Sequence, residues 1–260
     1  MKKSIALVAM VFGVSSAFAQ DLTSKKGEPF LPVAKDIAIS IDAFPIIKNM
    51  GNLMSDNGNE EITGTGGATN YIMAKYFLDE KTAFRAVLGL NFGSTTTYSM
   101  VQQFGAASNA FVEDSKKQSY NSITIGGGLE KRRGSTRLQG YYGGMLLFSL
   151  GGSRTTSTYG NPNTIQNPKT RETLKINGST FGLNVNGFVG AEYFVLPKVS
   201  IGAEYWWGLG LNSTGKGTTT VESIENGTLV STTAEGTVSN SAFGFNGQYG
   251  NATLFINLHF

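Results

Sequence analysis

Phe84-Arg85-Ala86-Val87-Leu88-Gly89-Leu90-Asn91-Phe92 sets Phe84, Ala86, Leu88, Leu90 and Phe92 at alternate positions, with Arg85, Val87, Gly89 and Asn91 between them. Successive side chains of an extended chain point to opposite sides, so these residues form a strand with one apolar face and one face bearing a cation and an amide. The run is too short and too strictly alternating for a helix of period 3.6. Upstream, the charged turn Asp79-Glu80-Lys81-Thr82 joins it to a stretch near residues 70–78. There Lys75 lies opposite Ile72, Ala74, Tyr76 and Leu78, and the two stretches make a hairpin.

The same pattern recurs along the chain from residue 36. Ile37, Ile39, Ile41 and Ala43 oppose Ala38, Ser40 and Asp42; Ile123, Ile125 and Leu129 oppose Ser122, Thr124, Gly126, Gly128 and Glu130. A turn at Lys131-Arg132-Arg133-Gly134 leads to Leu138, Tyr142, Leu146 and Phe148 against Arg137, Gln139, Tyr141 and Ser149. Phe181, Leu183, Val185, Val189, Ala191 and Tyr193 oppose Asn184, Asn186 and Glu192. After the short turn Leu196-Pro197-Lys198, Ile201, Ala203, Tyr205, Trp207, Leu209 and Leu211 oppose Gly202, Glu204, Trp206, Gly208 and Gly210. The last stretch puts Ala252, Leu254, Ile256, Leu258 and Phe260 opposite Asn251, Thr253, Asn257 and His259.

About eight strands follow, with three short turns on one side. Long connections near residues 45–67, 94–118, 151–178 and 213–243 lie on the other. The expectation is an all-β fold, a transmembrane antiparallel up-and-down barrel with short periplasmic turns and long extracellular loops. In hydrocarbon every backbone amide must pair within the protein, so a sheet there has to close and lose its edges. Charges cannot cheaply face lipid, which turns the polar face inward. A soluble barrel would alternate in the same way with its faces exchanged. The polar face here combines charges with many small residues, as a narrow lumen requires.

The inward charges are then Asp42, Lys75, Arg85, Glu130, Arg137, Glu192 and Glu204. An eight-stranded barrel is only just wide enough for its own side chains, so these should gather near the short turns and pair into a plug. A gated or narrow conduit whose charges select ions is the alternative. Tyr76, Phe84, Tyr193, Tyr205 and Phe260 near the turn end, with Phe92, Phe148 and Phe181 near the loop end, suit two interfacial aromatic girdles. Asn226-Gly227 is a two-residue hairpin signal within polar flanks, expected to carry the last two strands above the membrane.

Lys2-Lys3, an apolar run of about ten residues and Ala17-Phe18-Ala19 read as a signal peptide over residues 1–19. A polar leader over 20–35 and a barrel domain over 36–260 follow. The sequence has no Cys and one His, and its net charge is +3, which gives no basis for thiol chemistry, a His-rich metal site or a nucleic-acid partner. No cofactor is expected. Asp56, Asn57, Asn59, Glu60 and Glu61 could bind calcium, although their spacing does not match an EF-hand.

The strand count, the loop asymmetry and the ending Leu254-Phe255-Ile256-Asn257-Leu258-His259-Phe260 resemble small outer-membrane barrels of the OmpA transmembrane domain, OmpX and OmpW kind. The resemblance covers the chain after residue 19. It implies outer-membrane lipid as the surroundings. It also implies recognition of Leu254, Ile256, Leu258 and Phe260 by the barrel-assembly machinery during biogenesis. Barrel enzymes known to us place a catalytic His at the outer rim, whereas His259 falls at the opposite end. The expected role is therefore a non-enzymatic surface scaffold with a largely plugged lumen, with a narrow porin-like channel as the alternative. The extracellular or envelope partner is not named by the sequence.

Overall fold

The computed structural model describes residues 22–43, 71–236, 239–245 and 252–260. The stretch read as a signal peptide, the first expected long connection and its calcium candidates, Asp56 to Glu61, lie outside the described residues.

The described residues form twelve strands: β1 (Ile37–Asp42), β2 (Tyr71–Asp79), β3 (Thr82–Gln102), β4 (Phe111–Arg133), β5 (Leu138–Thr158), β6 (Arg171–Ile176), β7 (Thr180–Leu196), β8 (Val199–Thr214), β9 (Thr218–Glu225), β10 (Thr228–Glu235), β11 (Asn240–Phe245) and β12 (Ala252–His259). Eight of them, β1 to β5, β7, β8 and β12, pair antiparallel in a ring. The ring closes where β12 returns to β1, from Ala38 opposite His259 to Asp42 opposite Phe255. Beyond that pairing, the N–H of Ile37 donates to the Phe260 carbonyl at 3.1 Å and the N–H of Phe260 to the Ile37 carbonyl at 2.7 Å. Neither β1 nor β12 is left with an open edge over this length.

The remaining four strands prolong the wall. β6 runs into β7 and β8 into β9, and the β6–β9 register from Ile176 opposite Thr218 continues the β7–β8 register that ends at Thr180 opposite Thr214. β10 pairs with β9 and β11 with β8. Asn226 and Gly227 both have positive φ, 49° and 80°, which is the twist a two-residue β9–β10 hairpin requires.

Two of the expected long loops are thus half strand or more, and the third carries the strands that the Asn226-Gly227 signal implied. β3 and β4 stay paired out to Gln102 opposite Phe111, so their connection is only residues 103–110, and β5 extends to Thr158. The Thr and Tyr residues in these segments favour a pleated strand, and their Ser and Lys neighbours suit exposure on both faces. Neither face there meets an apolar surface, so the apolar alternation that marks a strand disappears. The charged run Lys131-Arg132-Arg133 is also strand, with the turn displaced to residues 134–137. Ala43 was expected on the apolar outward face; it lies beyond β1 and is buried, its N–H bound to the Leu254 carbonyl.

Within the ring the two faces are cleanly separated. Ile37, Ile39, Ile72, Leu88, Leu90, Ile125, Leu129, Val185, Val189, Ile201 and Leu209 are exposed. Ser40, Lys75, Arg85, Thr124, Glu130, Asn184, Glu192 and Glu204 are buried. The leader, with Thr23 bridged to Pro29, lies at the short-turn end, where the N–H of Lys35 binds the Phe77 carbonyl.

Neighbouring strands approach closely inside the ring at Gly143, where a Cβ would meet the Leu129 carbonyl oxygen and the Phe188 ring. Gly143→Val should therefore lower the stability of the refolded chain by about 1–3 kcal/mol through overpacking. The urea midpoint measures it.

Candidate functional site

The interior of the ring is layered, and the inward residues of β2 read the layers in order. Tyr71 borders an open cavity, Met73 belongs to an apolar layer, Lys75 to a charge cluster, and Phe77 lies at the short-turn end.

Glu192 on β7 is the hub of the charge cluster. Its Oε2 meets Arg132 Nη2 at 2.7 Å and Lys75 Nζ at 3.6 Å. Its Oε1 faces His259 Nε2 at 3.1 Å and accepts from Asn257 Nδ2 at 3.0 Å and from the Ser200 hydroxyl. Glu130 on β4 lies between Lys75 at 3.2 Å, Arg132 at 3.3 Å and Arg85 at 3.5 Å. Arg85 in turn meets Glu204 at 2.8 Å. Each of these six side chains is at most 2% exposed. Three carboxylates and three cations thus neutralise one another, which is the arrangement that makes their burial affordable.

Aromatic rings hold the cations laterally. The Arg85 guanidinium lies 4.1 Å from the Phe188 centroid and 5.6 Å from that of Trp206. Lys75 Nζ is 4.8 Å from the Tyr141 centroid, and Arg132 sits between Phe77 and Phe194 at 5.3 and 5.7 Å. In a desolvated interior such contacts add to the ion pairs.

Five of the seven residues expected in the lumen network meet here: Lys75, Arg85, Glu130, Glu192 and Glu204. Asp42 does not join them. It ends β1 away from the short turns, beside an apolar cavity of about 40 Å³ with Tyr71, Met73 and Trp206. Arg137 does not join them either. It precedes the first residue of β5, and its guanidinium lies 3.6 Å from the ring of Phe30 in the leader. Arg132 and His259 complete the cluster instead. Arg132 has the parity of Glu130 two residues before it, a signal hidden by reading Lys131-Arg132-Arg133 as a turn. Leu254, Leu258 and Phe260 face outward and are exposed, with Ile256 half-buried on the same face.

Ser200, His259 and Glu192 are close, with Ser200 Oγ 3.4 Å from His259 Nε2. Their geometry is not that of a nucleophile, base and orienting acid. Ser200 and Glu192 address the same ring nitrogen, Nδ1 has no partner among the described residues, and all three side chains are buried.

No family model, curated protein or solved structure matches this chain.

Removing a single partner from the cluster strands a buried charge, whereas removing a pair does not. Glu204→Gln should cost about 3–5 kcal/mol, and the double variant Arg85→Met with Glu204→Gln should recover a substantial part of it. Urea midpoints of the wild type, both single variants and the double variant close the cycle.

Proposed function

We propose that the ring is a transmembrane β-barrel of a bacterial outer membrane. Its short turns face the periplasm, its lumen is plugged by the charge cluster and the apolar layer, and it acts as a non-enzymatic scaffold for the strands and connections at the far end. The observation that carries this reading is the inverted distribution of side chains. Leu88 is 43% exposed and Phe92 62%, while Lys75 and Arg85 between the same strands are each 2% exposed. A water-soluble fold buries the first kind and exposes the second. A closed ring with apolar residues all around its outside is the β solution for hydrocarbon, since no backbone group is left unpaired.

Further support comes from the aromatic residues. Tyr76, Phe84 and Phe260 are exposed within a few residues of the short turns and Phe92, Phe148 and Phe181 farther along their strands, as interfacial girdles would be, whereas Tyr193 is half-buried and Tyr205 lies midway along β8. The signal-peptide pattern at residues 1–19 agrees with export. The plug follows from the interior: Met73, Val87, Met145, Leu147, Phe188 and Phe255 fill the ring between the cavity and the charges.

Refolding into phospholipid bilayers with heat-modifiable gel migration tests the barrel. Leu88→Arg should destabilise the bilayer-inserted form by about 2–4 kcal/mol, since its outward position would place a cation in hydrocarbon. If Leu88→Arg folds as well as wild type in lipid, the outer face is not a lipid face. Planar-bilayer recording tests the plug: a folded chain should be silent. Discrete conductance steps altered by Glu192→Gln would instead establish a narrow conduit through the cluster.

A further inference from the structure

We infer that the cavity on the far side of the apolar layer binds a small, uncharged, hydroxyl-rich solute such as a mono- or disaccharide. Its volume is about 390 Å³, within the range of about 300–1,000 Å³ in which small-molecule sites fall. Ser122 and Thr124 of β4, Ser149 of β5, Thr180 of β7 and Asn212 of β8 line it with hydroxyls and an amide. Tyr71 of β2 lines the opposite side, its ring lying over Gly89.

Three features select the ligand class. First, no Asp, Glu, Lys or Arg among the described residues lines the cavity. The three cations and three carboxylates of the charge cluster lie beyond the apolar layer and already neutralise one another, and Asp42 borders the neighbouring apolar cavity rather than this one. An ionic ligand would lose its hydration without gaining a counter-charge. Second, an apolar ligand would cover the Ser, Thr and Asn groups without replacing their hydrogen bonds to water, which costs free energy at each one. Third, hydroxyls and an amide offer both donors and acceptors from four strands, with an aromatic ring at the side. That combination satisfies a neutral polyol on several edges at once. One pleat below Gly182 on the same inward face, Asn184 is buried with its amide nitrogen unpartnered among the described residues, which leaves one more donor beneath the cavity.

The supply of such a solute from outside the cell rests on the orientation proposed above, whereas the binding chemistry does not. The test is isothermal titration calorimetry on the refolded full chain in a zwitterionic detergent, since glycoside detergents would compete. Folding is checked separately by heat-modifiable migration, so a failure to fold as a barrel is distinguished from a failure to bind. Glucose and maltose serve as neutral probes, with gluconate and glucosamine as charged ones.

The expected result is saturable binding of a neutral sugar at least about tenfold tighter than of either charged one, a difference of about 1.4 kcal/mol. Ser149→Leu, which fills the cavity, should abolish it. Thr124→Val, which removes a hydroxyl at nearly constant volume, should weaken it several-fold with migration unchanged. A folded chain that gives no saturable heat with either neutral sugar overturns the inference. So does equal affinity for gluconate, or binding unaffected by both substitutions.

Discussion

The pairing of β12 with β1 is the constraint on which the rest depends. It turns an open antiparallel sheet into a ring and so defines an inside. Without it, the alternation along each strand would describe two faces of equal standing. With it, one face becomes a confined volume a few side chains across and the other becomes the whole exterior. Burying Lys75, Arg85, Arg132, Glu130, Glu192 and Glu204 together is then forced, because eight strands contribute inward residues to a space that admits little water. The strand that closes the ring also supplies His259 and Asn257 to Glu192, so closure and the central cluster are built from the same residues.

Much of the ring was legible in the sequence because period two is a strong signal when one face is apolar and the other is not. The parity of Lys75 fixed the orientation of β2, and the same reasoning placed Glu130, Glu192 and Glu204 on the inside. Legibility failed where that contrast failed. Residues 94–102 and 111–119 are mostly polar, and their few apolar residues, such as Met100, Val101, Phe111 and Val112, fall on both faces, so only the pairing partner identifies them as strand. Arg132 was obscured by two neighbouring cations that made a strand end look like a turn. Asp42 and Arg137 have inward parity but stand at the ends of their strands, and parity does not say how far along the axis a side chain lies.

The apolar residues of the interior were the least legible. Met73, Met145, Leu147 and Phe188 share the inward face with the charges, although a polar-inside template gives them no place there. Their role is physical: they separate the open cavity from the charge cluster, and Phe188 and Tyr141 of the same layer supply the rings against which Arg85 and Lys75 rest. Glycines make room for them. Gly143 faces Phe188, and Gly190 lies beneath the Tyr141 ring, so large and small residues alternate across the narrow interior.

The equal count of carboxylates and cations in the cluster has an electrical consequence. An electric field does work on displaced net charge, about 2.3 kcal/mol per elementary charge per 100 mV. Glu130, Glu192 and Glu204 against Lys75, Arg85 and Arg132 sum to zero, leaving His259 aside. A field along the ring axis therefore has no net charge by which to pull this block of side chains in either direction. The six groups need no outside ion to balance them, because each is already another's counterion.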